Sequence, residues 1–133
     1  MKSFTKNKVL LTNGGFCDKM QAHKLGLQHY AYSSFIFDER GRLLLQQRAL
    51  TKYHSGGLWS NTCCSHPLDV SDIITIKKQA IERLNEEMGI TCDLYSNTIF
   101  TYKVICGNLA ENEIDYIFYG HTNAISKINS HEV

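Results

Sequence analysis

Apolar residues fall into short runs set off by polar, glycine-containing turns, with one long stretch of helical spacing in the middle. Val9 to Thr12 is a brief apolar run ended by Asn13-Gly14-Gly15, the pattern of a strand and a turn. Lys19 to Gln28 is polar and contains Gly26, so it reads as a loop or a single helical turn. Tyr30 to Phe37 is aromatic and apolar, Asp38 to Arg42 turns the chain, and Leu43-Leu44-Leu45 is apolar again, which predicts a hairpin of two strands. Residues 51 to 68 have no clean period and read as loop with a short extended stretch. From Asp72 to Met88, Ile73, Ile76, Ala80, Leu84 and Met88 recur at three- and four-residue spacing. That spacing predicts an amphipathic helix, capped by Ser71 or Asp72 at its start and ended by Gly89. Thr98 to Ile105 and Glu113 to Tyr119 read as strands, separated by Gly107-Asn108. Strands, a central helix and further strands define a mixed α/β or α+β fold.

Composition narrows the function classes. A chain of 133 residues allows one domain, and 43% hydrophobic with 20% charged residues excludes disorder and fibrous repeats. Fourteen basic against thirteen acidic side chains leave a net charge of +1, without the one-sided excess of a nucleic-acid or membrane-surface binder. No apolar run is long enough for a membrane span, and no N-terminal signal peptide is expected. Five cysteines, two of them adjacent at 63 and 64, point to free thiols in a reducing cytoplasm.

Several residue groups carry possible chemistry. His23, His29, His66, Glu111 and Glu113 are donors suited to Mn²⁺ or Zn²⁺, and the two glutamates share one face if their segment is a strand. Each taken alone is more simply a solvated or structural side chain. Glu82, Glu86 and Glu87 cluster at the end of the helix, where carboxylates can share Mg²⁺ with a phosphate. The simpler alternative there is a solvated face with an Arg83–Glu87 ion pair. Cys64, two residues before His66, is the candidate reactive thiol, and Cys63 the candidate buried one, because neighbours on an extended segment point opposite ways. Lys19, Arg48 and Lys52 are candidate anion holders.

Together these residues resemble one family, the type I isopentenyl-diphosphate Δ-isomerases, which have the Nudix fold. The matching stretches are Lys19-x-x-x-His23 with His29, Leu43 to Lys52, Gly57-Leu58-Trp59-Ser60-Asn61-Thr62-Cys63-Cys64-Ser65-His66-Pro67, Glu86-Glu87-Met88-Gly89-Ile90 and Glu111-Asn112-Glu113. They lie between residues 19 and 120 of what is expected to be a single Nudix-like domain over 1–133, with a mixed sheet and a central Nudix helix. The resemblance implies conversion of isopentenyl diphosphate to dimethylallyl diphosphate in isoprenoid biosynthesis. It implies that Cys64 and Glu113 are the catalytic pair and that Tyr102 supports Glu113 by a hydrogen bond. It further implies that His23, His29, His66, Glu111 and Glu113 hold one Mn²⁺ or Zn²⁺ per chain. Glu87 is implied to bind Mg²⁺ with the substrate diphosphate, which Lys19, Arg48 and Lys52 hold with help from Arg83.

The departures from the family pattern are specific. The proline of an aromatic-Pro-Gly-Leu-Trp run is missing at His54-Ser55-Gly56-Gly57-Leu58-Trp59, and Leu68 to Asp72 replaces a Gly-Glu helix start. Glu82-Arg83 stands where Nudix hydrolases carry Arg-Glu, which argues against pyrophosphohydrolase chemistry. The chain ends at Ser130-His131-Glu132-Val133, so the family's C-terminal stretch, with its cation-facing tryptophan, is expected to be truncated; Trp59 is the one tryptophan. A diphosphate hydrolase and an inactive metal- or prenyl-diphosphate-binding remnant are the alternative functions. The expected partner is the small-molecule diphosphate, with no nucleic acid or membrane, and a homodimer is possible.

Overall fold

The computed structural model describes residues 7–51 and 56–123. Its central feature is a four-stranded mixed sheet in the order β6-β3-β8-β7. In chain order, β1 (Lys8–Leu10) and β2 (Phe16–Asp18) form a small antiparallel pair, followed by α1 (Lys19–Leu25) and β3 (His29–Phe37). Next come β4 (Gln46–Gln47), β5 (Trp59–Ser60), β6 (Cys63–Ser65), α2 (Ile73–Met88), β7 (Tyr95–Cys106) and β8 (Leu109–His121). β3 pairs in parallel with β8 and antiparallel with β6, while β7 and β8 form a long antiparallel hairpin.

Strand alternation divides the sheet into two faces. Tyr32 and Ile36 of β3, Cys63 of β6 and Phe118 of β8 point to one face and pack with Ile76, Ala80, Leu84 and Met88 of α2. This is the helix predicted from the period, with the Asp72 carboxylate accepting from the Thr75 N–H at 2.8 Å. Its end is Gly89 in the left-handed conformation at φ 67°, which costs glycine least. Ile73, by contrast, is exposed at the first turn. The opposite face carries His29, Ala31 and Ser33 of β3, Cys64 of β6 and Glu113 and Asp115 of β8, with α1 packed beside them.

The described elements differ from the sequence expectations in three places. Residues 19–25 are a true helix: Asp18 accepts from the Gln21 N–H at 3.4 Å, Gly26 ends it at φ 67°, and Ala22 and His23 are buried. Leu43-Leu44-Leu45 is not a full hairpin partner for β3; Leu43 makes an isolated bridge to Phe37, and Leu44 N–H donates to Ile36 O at 2.9 Å. The chain then leaves β3, and its regular strand is β4, which pairs with β5 instead. β7 and β8 extend beyond the predicted limits because each supplies the other's backbone partners across the tight turn at Gly107, φ 64°. The expected residues His54 and Ser130 to Val133 lie outside the described residues.

Candidate active site and metal centre

Four segments converge on one cluster. α1 brings His23, the start of β3 brings His29, the residue following β6 is His66, and β8 brings Glu113. One ligand-capable atom from each lies within 4.8 Å of all the others. His29 and Glu113 meet because β3 and β8 pair in register at those two positions. His29 and His66 have ring centroids 5.1 Å apart, and His23 and His29 5.2 Å.

The imidazoles are oriented from behind. His23 Nδ1 donates to the Lys19 carbonyl at 2.7 Å, and His29 Nδ1 to the Leu27 carbonyl at 2.9 Å. A backbone carbonyl can only accept, so each contact puts the proton on Nδ1 and leaves Nε2 to face the cluster. This arrangement orients imidazole ligands toward a metal. Three imidazole nitrogens and a carboxylate oxygen form a group that could hold a divalent ion, and these donor types suit Mn²⁺ or Zn²⁺.

With only protein groups present, the cluster is electrostatically tense. Burial opposes charge on Glu113, but hydrogen bonds from His29 at 3.0 Å and His66 at 3.3 Å, with Tyr102 beyond, hold its carboxyl well below the usual range. Burial works to lower the pKa of His29 too, yet Glu113 and the Leu27 carbonyl raise it overall. His66 goes the other way, to about 4, because burial and then the neighbouring His29 and Lys19 outweigh Glu113.

Tyr102 of β7 stands opposite Glu113 and donates to its Oε1 at 2.6 Å and to Glu111 Oε2 at 3.2 Å. Burial, then the Glu113 charge, pushes the phenol far above its ordinary value, so it remains a donor. Glu111 lines the same cavity two residues before Glu113, but it is outside the tight four-residue group.

Cys64 and Cys63 follow the expected alternation: Cys63 is in the helix-packed core and Cys64 is exposed, opening on the cavity. Cys64 Sγ lies 3.7 Å from Asn61 Oδ1. Surrounding protein, then the charges of Glu87, Asp115 and Glu113, pushes the Cys64 thiol up to about 12, with Arg48 opposing. All five cysteines are unbridged.

A cavity of about 320 Å³ joins these groups and runs past the β6 edge to α2. Lys19, Arg48, Arg83 and Glu87 line it, together with the exposed Leu58 and Trp59. Of the helix carboxylates, Glu82 and Glu86 are exposed, whereas Glu87 is buried and is held by Arg83 and by Gln46. The Arg83–Glu87 pair expected of a solvated face thus exists, but inside the cavity wall. Lys52 lies outside the described residues. Gln46, Asn61, Ser33 and Asp115 also belong to the site region and were not singled out by spacing. Asp115 was legible, since it continues the Glu111, Glu113 alternation by one more step.

The fold is Nudix-like, and the site is a histidine-rich cluster that could hold a metal ion. The fold matches the MutT protein from Methanosarcina mazei Go1 at a TM-score of 0.61, with 18% identity, over 80% of this chain and 72% of that one. It also matches the NUDIX domain of Shewanella oneidensis NrtR, solved with ADP ribose, at a TM-score of 0.60 and 11% identity, over 78% and 68% of the two chains. No family model matches the sequence. Among curated proteins, the chain is 51% identical over 110 residues to isopentenyl-diphosphate Delta-isomerase 1 of Aromatoleum aromaticum, covering 82% of this chain and 60% of the relative. It is 45% identical over 119 residues to isopentenyl-diphosphate Delta-isomerase 2 of the same organism, covering 89% and 61%. The isopentenyl-diphosphate Delta-isomerase of Photobacterium profundum is 42% identical over 126 residues, covering 90% and 68%. The chain belongs to the type I isopentenyl-diphosphate Delta-isomerase family. It spans about 60% of the length of the two Aromatoleum relatives. Among the described residues, no helix is long and apolar enough to cross a membrane.

Proposed function

We propose that the chain isomerises isopentenyl diphosphate to dimethylallyl diphosphate by a 1,3-allylic proton transfer between Glu113 and Cys64. The observation that carries this reading is that a thiol and a tyrosine-bonded carboxyl open on one cavity that Lys19 and Arg48 also line. Glu113 adds a proton to the terminal alkene carbon C4, forming a tertiary cation at C3. The Cys64 thiolate removes a proton from C2, and those C–H electrons become the new double bond. No atom is gained or lost. Both groups together hold one mobile proton; with protein groups alone it sits on Cys64, whose thiol is raised while Glu113 is held ionised, so this direction requires that proton to pass to Glu113 before the alkene is attacked. Leu58 and Trp59, exposed at the rim, give the cavity an apolar edge.

His23, His29, His66, Glu111 and Glu113 are the residues that would hold Mn²⁺ or Zn²⁺. When bound, such an ion supplies positive charge that fixes Glu113 and tunes its acidity. Glu87 would meet Mg²⁺ carried by the diphosphate, with Lys19 and Arg48 on the phosphate oxygens and Lys52 the third expected contact. Holding the remote diphosphate positions the reacting carbons. The position of Glu82 favours isomerisation over hydrolysis, because that exposed carboxylate is not among the cavity-lining residues.

The test is the purified chain with isopentenyl diphosphate, Mn²⁺ and Mg²⁺, followed by NMR. Dimethylallyl diphosphate is expected from the wild type, with a loss of at least roughly 10³-fold in Cys64→Ala and in Glu113→Gln. Near-wild-type turnover in either variant removes that residue from the pair. Release of phosphate from a nucleoside diphosphate would favour the hydrolase alternative, and diphosphate binding without product would favour the binding remnant.

A further inference from the structure

We propose that Gln46 is a positioning residue whose side-chain amide orients the Glu87 carboxylate for a divalent cation and diphosphate. The proposal rests on the reading of Glu87 as a cation contact and extends it to a residue of the Leu43 to Lys52 stretch to which no role has been assigned.

Gln46 is 6% exposed and lines the cavity from β4. Its Nε2 donates to the Thr62 carbonyl at 2.8 Å and to Glu87 Oε1 at 3.0 Å. A primary amide has two N–H bonds, and its partners here, two oxygens and the Met88 sulfur at 3.7 Å, have no proton to give. The amide therefore has one allowed orientation, with nitrogen toward them. The Thr62 anchor is itself fixed: its side chain is fully buried, accepts from the Ile36 N–H at 3.0 Å and donates to the Leu44 carbonyl. Restraint thus passes from β3 through Thr62 and Gln46 to Glu87.

Arg83 holds the other carboxylate oxygen, Glu87 Oε2. Without Gln46 the carboxylate would keep its Arg83 and Cys63 contacts but lose the amide donor at Oε1. Each carboxylate oxygen has a second lone pair, so the Gln46 bond leaves room for a cation. The donor is also neutral, which orients Glu87 without cancelling the charge a cation needs. Arg48, two residues further along the same strand direction, lines the same cavity. One short segment then orients the carboxylate and supplies a guanidinium for the anion.

The test uses the full chain and inorganic pyrophosphate, titrated calorimetrically with and without Mg²⁺. In Gln46→Met, of similar length but without a donor, the Mg²⁺-dependent gain in affinity should fall by about tenfold or more. Mn²⁺ uptake at the histidine cluster should stay within about twofold of wild type, which a general loss of structure would not allow. In a Glu87→Gln background, Gln46→Met should add no more than about a twofold loss, because the effect runs through Glu87. A Mg²⁺ gain that survives intact in Gln46→Met, or a full additional loss in the Glu87→Gln background, overturns the proposal alone. A wild-type chain whose pyrophosphate affinity ignores Mg²⁺ overturns the Glu87 reading and this proposal together. Should Gln46→Met not fold, NMR of the side-chain amide decides: both its protons should be exchange-protected in wild type, and the one facing Glu87 should lose protection in Glu87→Ala. Rapid exchange in wild type overturns the proposal.

Discussion

At β6 two adjacent cysteines receive opposite surroundings from strand alternation alone: Cys63 meets α2 in the core, and Cys64 meets the cavity. The same alternation buries Asp115 two residues beyond Glu113. Ser33 donates to Asp115 Oδ2 at 2.7 Å, while Oδ1 is buried without a hydrogen bond. Burial first, then the neighbouring glutamates, pushes this carboxyl up to about 7. A folded-state pKa raised above the unfolded value means that the folded form binds more protons in between. Asp115 therefore favours folding below its ordinary value near 3.8, and that contribution is lost as pH rises to about 7. Asp115→Asn keeps the shape without the charge. Urea denaturation of the metal-free protein should find the variant more stable than wild type at pH 8, by roughly 1–3 kcal/mol. Relative to that, wild type should gain on Asn as pH falls to 5.

The elements differ in what their ends do. Gly26 and Gly89 both close a helix at φ 67°, a conformation that costs other residues about 1 kcal/mol or more. Replacing either by alanine should lower the unfolding free energy by about that amount. The two should differ in metal uptake. Gly26 lies between His23 on α1 and His29 on β3, so Gly26→Ala displaces two candidate ligands, whereas Gly89 follows the core-packed helix. Mn²⁺ titration should therefore show weaker binding for Gly26→Ala and little change for Gly89→Ala. Equal affinity in both variants would separate α1 geometry from the metal centre. The long helix was legible because its period of apolar positions repeats over several turns. The seven-residue α1 was not, since it buries only Ala22 and His23 and reads as polar. β4 was misplaced because the apolar Leu43-Leu44-Leu45 run does not reveal that its backbone turns away from β3 toward β5.

At the scale of the molecule, a metal at the cluster would tie α1, β3, the segment after β6 and β8 together. Binding to the folded state alone stabilises it by mass action, by about 2.7 kcal/mol at a hundredfold excess over the dissociation constant. Calorimetry should show Mn²⁺ or Zn²⁺ raising the melting temperature by roughly 5–15 °C and chelation reversing the change. An unchanged melting temperature would argue against a metal at these residues. Protons compete with the metal for imidazole nitrogen. His29, whose pKa is raised above 6.5, should take a proton first, while His66, at about 4, stays neutral much longer. Metal affinity should therefore fall as pH drops through the raised His29 value, with about one proton released per metal bound in that range. Titrations in buffers of different ionisation enthalpy measure that proton directly.

The central helix, with a start at Ser71 or Asp72 and an end at Gly89, the opposite fates of Cys63 and Cys64, and the residue types of the site were all legible along the chain. These follow from local periodicity and chemistry, which neighbours in the chain already express. Long-range pairing places His29 opposite Glu113 and brings Gln46 to Glu87, and it supplies the geometry of the Tyr102–Glu113 bond that the resemblance had implied. Those contacts depend on strand register and on which face each strand turns inward. Both are set by pairing and burial between distant segments, so no local pattern contains them.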